Sequence, residues 1–394
     1  MKKTTTILAI FLLVTAVCRG QGQTGDSDLI RVDVTKKNYP TKKLILQDVM
    51  DVEYIVLETN DEFVCQGEVL AIGKELILVR NESHINDGNI FIFDRKGKGV
   101  RKINRKGQGS EEYTYNNQVV LDEDNGEIFV DDYYRKIQVY DLYGKFKRTI
   151  KKKEGVRYSD LRNYDRDHLI GWLDSFGEEE RKPSFYIISK QDGSMADEIE
   201  IPFKEVKETT FRKYDAETKI MHTTEFSVTK YSTIIHCLDH FILAEPSSDT
   251  LYRYLPDHSL IPYMARTPSI QSMKPEVFLL PGIFTDRYFF MIIFTKREGD
   301  SFPLFSQLFS HLVYDRQEKA LFNYIVFNDD RTDRRFVTMR EKTISDEVAF
   351  YQKFEAHELV ESYEKGELKG KLKEIASKLD EEDNAVIMLV KYKK

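Results

Sequence analysis

Residues Ile90–Ile103 read IFIFDRKGKGVRKI, and residues Ile137–Ile150 read IQVYDLYGKFKRTI. Setting Phe93-Asp94 against Tyr140-Asp141 also sets Gly97 against Gly144, at an offset of 47 residues. Each copy is an alternating strand that ends in an aromatic residue and Asp. Asp opens a turn, Gly takes the positive φ that the turn needs, and a strand of alternating basic and apolar residues returns. A hairpin unit that recurs at this period is the signature of a propeller blade.

Weaker copies follow at Phe185–Gly193, at Thr250–Tyr263 with a turn at Pro256-Asp257, and at His311–Phe322. A mostly apolar strand precedes each hairpin: Lys74–Val79, Gly126–Val130, His168–Trp172, His240–Ala244 and Arg287–Phe294. Their composition predicts inner strands, buried between neighbouring blades. Five units account for residues 66–328. A blade cannot hide both faces alone, so the units must close into a ring. Val52–Leu57 (VEYIVL) and Ala385–Tyr392 (AVIMLVKY) supply a sixth blade shared by the two ends of the chain, with Val348–Tyr351 as its inner strand. Leu368, Leu372, Ile375, Ala376 and Leu379 form one apolar helical stripe, expected to pack on the rim or, alternatively, to bind a partner. The expected fold is all-β: a six-bladed β-propeller over 44–394, closed by its N- and C-terminal strands, with a short C-terminal helix.

Composition agrees. The chain has 394 residues with 25 Phe, 22 Tyr and 1 Trp, so its aromatic content lies in strand formers. Residues 1–20 read as an export signal: Lys2 and Lys3 lead a short apolar run, Ile7–Val14, too short to span a bilayer. Thr15-Ala16-Val17-Cys18 resembles a bacterial lipobox, which makes Cys18 a lipidation candidate; Val17 departs from that pattern, and cleavage before Gln21 competes. Residues 21–43 read as a linker. A lipid on Cys18 would be the only membrane attachment. The expected address is the periplasm or the outer-membrane surface. The net charge is −7, and −10 once Lys2, Lys3 and Arg19 are set aside, which argues against nucleic acid as a partner. Cys65 and Cys237 read as two buried thiols, with a disulfide as the alternative.

Several stretches resemble the six-bladed β-propeller proteins that gut Bacteroidales export, often as lipoproteins, and whose function is unassigned. Glu53–Thr59 is similar to that family's entry strand. Phe93–Ile103 and Gly107–Tyr113 are similar to its first full blade, with Ser110 where Pro is usual. Asp383–Met388 is similar to its closing strand, with Ala385 where Pro is common. The resemblance implies the fold and the export. It carries no catalytic residues and no cofactor.

Candidate chemistry is sparse. Gly107-Gln108-Gly109 lacks the third glycine and the following helix of a dinucleotide loop, and reads as a turn between blades. His236-Cys237-Leu238-Asp239-His240 carries metal-type side chains without a second cluster, and reads as a hairpin. The basic run Lys145, Lys147, Arg148, Lys151, Lys152 and Lys153 reads as a solvated strand end. Asp131, Asp132 and Asp174 follow apolar strands whose ends are expected at the axial mouth, with Tyr133 and Tyr134 beside them as a stacking surface. These five residues are the ligand-site candidates. The expected function is non-catalytic binding of a small ligand or protein partner at one axial mouth, with no cofactor. A metal-dependent lyase or hydrolase in the channel and a scaffold in a cell-surface assembly are the alternatives.

Overall fold

The computed structural model describes residues 29–393 apart from 83–84, 86, 117, 133–135, 154–155, 174–183, 208, 210, 216–219, 225–231, 238–239, 297–308 and 341–342. The N-terminal segment carries β1 (Ile30–Asp33), β2 (Thr41–Ile45), a single helical turn α1 (Leu46–Val49) and β3 (Asp51–Val56). Blade 1 is β4 (Glu68–Ile72), β5 (Leu76–Arg80), β6 (Asn89–Asp94) and β7 (Gly99–Asn104). Blade 2 is β8 (Gln118–Asp122), β9 (Glu127–Asp132), β10 (Lys136–Asp141) and β11 (Phe146–Lys151). Blade 3 is β12 (Tyr158–Asn163), β13 (His168–Leu173), β14 (Phe185–Ser189) and β15 (Met195–Ile199). A separate hairpin follows, β16 (Phe211–Asp215) with β17 (Ile220–Thr224). Blade 4 is β18 (Ile234–Cys237), β19 (His240–Leu243), β20 (Thr250–Tyr254) and β21 (Leu260–Thr267). Blade 5 is β22 (Val277–Phe284), β23 (Tyr288–Thr295), β24 (Phe309–Asp315) and β25 (Ala320–Phe327). Blade 6 joins β26 (Val348–Phe354), β27 (Val386–Lys391) and β3, with α2 (Ala356–Glu364) and α3 (Gly370–Ala376) between β26 and β27.

The repeat behaves as the sequence predicts. Asp94 Oδ1 accepts from the backbone N–H of Lys96 and Lys98, and Gly97 N–H donates to the Asp94 carbonyl. Asp141 repeats this with Tyr143, Lys145 and Gly144. Gly97 has φ +83° and lies so close to blade 6 that a Cβ there would strike the Val56 carbonyl.

Six apolar cores lie between successive blades and close the circle. Ile90 meets Tyr113 between blades 1 and 2, and Phe129 meets Tyr158 between blades 2 and 3. Trp172 meets Phe241 between 3 and 4, and Ile242 meets Phe289 between 4 and 5. Phe290 meets Met388 between 5 and 6, and Ile387 meets Phe91 between 6 and 1. β4, β8 and β12 approach one another, so the first strand of each blade lies at the axis. This corrects one expectation. The apolar strands read as inner ones (β5, β9, β13, β19, β23) are second in their blades, covered on the axial side by the first strands.

The shared sixth blade is as expected. β27 pairs antiparallel with β3, Val386 opposite Val56 and Lys391 opposite Asp51, and with β26 on its other side; Ile344 and Ser345 N–H donate to the carbonyls of Ala349 and Val348, so β26, read as the inner strand, is also second in its blade. Beyond β3 the chain stays on the blade. The buried Asn384 side chain accepts from Cys65 N–H (2.9 Å) and donates to the carbonyls of Glu58 (2.7 Å) and Phe63 (2.5 Å).

The expected linker, 21–43, is corrected over its described part. β1 adds in parallel to the outer edge of blade 4 and β2 to that of blade 5. The reason lies in the edges. β7 and β11 carry Arg101, Lys102, Lys147, Arg148 and Lys151, which discourage further pairing. β25 reads ALFNYIVF with no charge, and β21 has Arg266 alone. The two poorly charged edges are the two that the N-terminal segment covers. Lys42 fixes β2 by ion pairs to the fully buried Asp315 (2.5 Å) and to Glu318 (2.6 Å). The C-terminal helix is a pair. Leu359, Leu368, Leu372 and Ala376 turn inward and fill the gap between blades 5 and 6, so the apolar stripe is used within the chain.

Asn384→Ala removes three buried hydrogen bonds at the seam and should cost about 3 kcal/mol of stability. Urea denaturation of the variant checks this; an unchanged midpoint would mean that the seam does not depend on this side chain.

Candidate functional site

First strands run away from one face of the ring, second strands run back to it, and third and fourth strands repeat the alternation. That face therefore gathers the ends of second strands, the starts of third strands and every blade-to-blade connection. Asp131 and Asp132 end β9 at this mouth. Tyr133, Tyr134 and Asp174 lie outside the described residues, as does Cys18.

Asp131 does not line the axis. It is buried on the second strand and bonded to Lys152 Nζ at 2.5 Å, with both side chains almost fully enclosed. Tyr158 of blade 3 covers the ammonium, 5.8 Å from its ring centre. Asp132 Oδ1 accepts from the backbone N–H groups of Thr114 and Tyr115 at 3.2 Å and so pins the connection into β8. Both carboxylates thus have structural partners. β8 stands between them and the axis, which is why a reading that took β9 as innermost misplaced them.

The other sequence candidates resolve similarly. In the basic run, Lys147 and Arg148 pair with the buried Glu127 and Lys152 with Asp131. Gly109 N–H donates to Glu112 Oε2 (2.8 Å) in a turn between blades 1 and 2. Cys237 faces His240 across the hairpin from β18 to β19. Cys65 and Cys237 lie in different inter-blade cores and form no disulfide. Among the described residues, no three His, Cys, Asp or Glu side chains gather as metal ligands.

The polar centre that the structure does build was not foreseen. Arg162, on the first strand of blade 3, donates from Nε to Asp160 Oδ1 (3.0 Å). Its terminal nitrogens reach the Thr343 carbonyl, Thr343 Oγ1 (3.2 Å) and Ser232 Oγ (3.4 Å). Thr343 N–H donates to Ser232 Oγ at 2.7 Å, and Thr233 Oγ1 donates to Asp160 Oδ2 at 3.3 Å. Ser232 and Thr233 lead into blade 4, and Thr343 leads into blade 6. Blades 3 and 6 are opposite members of a ring of six, so this cluster spans the axis.

Two further side chains point to the same centre. His236 on β18 is edge-on to Phe241 at 4.5 Å. Burial lowers the basicity of its imidazole, with the Asp346 charge opposing and Arg162 reinforcing. Tyr392, the residue after β27, feels Arg162 and Asp346 as well, and burial holds its hydroxyl protonated. His236 Nδ1 and the Tyr392 hydroxyl are both buried and find no hydrogen-bond partner among the described residues. Next to Tyr392 a cleft of about 400 Å³ opens, lined by Asp51, Glu347, Lys391, Tyr392 and Lys393. Of these residues the sequence marks His236, within a hairpin carrying metal-type side chains, and Tyr392, at the end of the closing strand. Arg162, Ser232 and Thr343 lie 181 residues apart at the extremes and meet only once the ring exists.

The sequence matches one family over residues 29–391. The chain belongs to the family described as a domain of unknown function, DUF4934. No curated protein matches the sequence. Among solved structures, a Bacteroides fragilis protein inferred to be exported is similar with a TM-score of 0.59 and 16% identity, over 90% of this chain and 99% of that one. BamB from Moraxella catarrhalis has a TM-score of 0.34 at 9% identity, over 87% of this chain and 100% of that one. Virginiamycin B lyase from Staphylococcus aureus has 0.31 at 11%, over 65% and 89%. The first supports the fold of this DUF4934 member; the other two are too distant to carry an argument. No helix among the described residues is long and apolar enough to cross a membrane.

Burial outweighs the Lys152 charge and raises the Asp131 carboxyl from 3.8 to about 6. An acid whose pKa is raised by folding holds its proton more tightly in the folded state. Its contribution is full below about pH 4 and is lost as pH rises through about 6. The double variant Asp131→Asn, Lys152→Met lacks this titration, so its stability relative to wild type should improve steadily over that interval. Asp131→Asn alone also lacks the titration and should show the same rise relative to wild type. Denaturation of the three proteins across this pH range checks both; a gap between double variant and wild type that stays constant with pH would contradict the assignment.

Proposed function

We propose that this DUF4934 protein is a non-catalytic recognition module, exported from the cell, that receives a small ligand or protein partner at the mouth of its axial channel. One observation carries the reading. Side chains from blades 3, 4 and 6 meet across the axis, and beside them two polar atoms, His236 Nδ1 and the Tyr392 hydroxyl, are buried without a partner among the described residues. Buried polar groups are almost always hydrogen-bonded, and a group without a protein partner marks a place for water or ligand. The ring supplies rigidity, and turns from several blades gather beside this centre, His236 preceding one and Asp346 lying in another, which suits it to selective binding. Arg162 is held by Asp160, Thr343 and Ser232, an arrangement that fixes it in place. Export is supported by the signal-like residues 1–20 and by the likeness to a protein inferred to be exported. Lipidation at Cys18 would hold the protein at a membrane surface without a spanning segment.

Site-directed photocrosslinking tests the location. A photoreactive residue at Asp346, exposed in the turn into β26, should give ligand or protein adducts in cells, whereas one at Tyr143 between β10 and β11 or at Tyr363 on α2 should not. Adducts from the outer positions alone would overturn the reading.

A further inference from the structure

We infer that the outer edge of blades 1 and 2 docks on a bilayer containing anionic phospholipid, with the turn at Tyr143 at its centre. The inference is independent of the axial reading. It also needs no lipid on Cys18, the one membrane attachment that the sequence suggests.

The charge of this edge runs against that of the chain. Residues 95–106 carry seven Arg or Lys and residues 142–153 carry six, and neither stretch holds an Asp or Glu, although the whole chain has a net charge of −7. Three of these cations are spent inside the blade: Lys147 and Arg148 on Glu127, and Lys152 on Asp131. Arg101 and Arg105 donate to the carbonyls of Leu142 (2.6 Å) and Gly144 (2.9 Å). Those two bonds join the outer strand of blade 1 to the turn between β10 and β11, so the two stretches form one surface. The acceptors are neutral, so these bonds leave both guanidinium charges in place. Lys96, Lys98, Lys145 and Lys151 are exposed and have no carboxylate partner among the described residues.

Charge on an open edge discourages strand pairing. Two features go beyond that need. The first is sign. β15 is also the outermost strand of its sheet, and it carries Asp197 and Glu198 with no Lys or Arg. Edge protection accepts either sign, whereas blades 1 and 2 use only one. The second is Tyr143. Its side chain is 77% exposed, more than any other large apolar or aromatic side chain among the described residues, and it stands at the tip of a turn. The Arg101 guanidinium lies 4.1 Å from its ring centre and holds one face of the ring. Edge protection has no use for an exposed phenol.

A membrane interface has. Tyr is enriched at headgroup level, where its ring meets apolar chains and its hydroxyl stays in water. Each nearby Lys or Arg gains by approaching anionic headgroups. The edge lies on the outside of the ring, which is convex, so it meets a plane more readily than it encloses a polymer.

Vesicle cosedimentation tests this on protein starting at Gln21, which keeps every described residue and lacks the signal-like segment and Cys18. The probes are vesicles of phosphatidylcholine alone and vesicles of equal parts phosphatidylcholine and phosphatidylglycerol. The protein should bind the mixed vesicles, leave them in high salt and ignore the neutral ones. Lys145→Gln with Lys151→Gln should weaken binding about thirtyfold. Lys371→Gln with Lys378→Gln makes the same charge change at exposed positions on and after α3 and should leave binding unaltered. A polarity-sensitive dye on Tyr143→Cys should shift its emission to the blue on the mixed vesicles, and one on Tyr363→Cys should not; the native Cys65 and Cys237 are buried. Equal losses in the two double variants, no shift at position 143, no binding to the mixed vesicles, or binding to heparin or single-stranded DNA in their place would each overturn the inference.

Discussion

The structure depends on one pairing: strand 51–56 against strand 386–391, at opposite ends of the sequence. Every blade in a propeller hides its faces against two neighbours. An open ring would leave two large apolar faces in water at once. Burial is worth roughly 25 cal/mol per Å² of apolar surface, so the last interface formed stabilises the whole circle rather than one sheet. The cores on either side of the sixth blade show the dependence. Met388 and Val390 face blade 5, while Ile387 and Leu389 face blade 1, all without exposed surface. A single strand thus supplies both seals.

The N-terminal segment extends that closure. Before it reaches the sixth blade it runs along the outer edges of blades 4 and 5, and it places Val32, Val34 and Tyr39 in the core between them. Three consecutive blades are therefore tied by one stretch of chain. Polar contacts latch other joints from outside the cores. Glu123 of blade 2 accepts from the backbone N–H of Lys74 (2.6 Å) and Leu76 (2.8 Å) in blade 1. Lys190 of blade 3 donates to Asp122 of blade 2 (2.6 Å).

The fold was legible because its signals are local and repeated. The pattern of Asp94 with Gly97 and of Asp141 with Gly144 needs only four neighbouring residues to make a hairpin, and the structure reproduces it in both places. The shared sixth blade was legible from two apolar strands left over at the ends. What stayed hidden depends on pairing. The first strands range from the four residues Ile234–Cys237 to the eight residues Val277–Phe284, and nothing shared in their composition marks them as innermost. β1 and β2 are strands only because the edges of blades 4 and 5 lack charge. The site was less legible still. Asp131 looks like any acidic strand end, and only the ring shows that Lys152 meets it and that a whole strand screens it from the axis. The centre around Arg162 joins residues from opposite blades, so no window of sequence contains it.

The site follows from the same closure. Thr343 enters the axis on its way into the sixth blade, and Tyr392 leaves that blade after its middle strand. Both reach Arg162 or its field only when the ring is shut. Ring closure and the polar centre around Arg162 are therefore formed in one event. Native-state hydrogen exchange tests this most directly. The amides of 51–56 and 386–391 should exchange only through global unfolding, with the same opening free energy as the amides of 127–132 in blade 2. Exchange of the sixth-blade amides through a cheaper local opening, while blade 2 stays protected, would contradict the account.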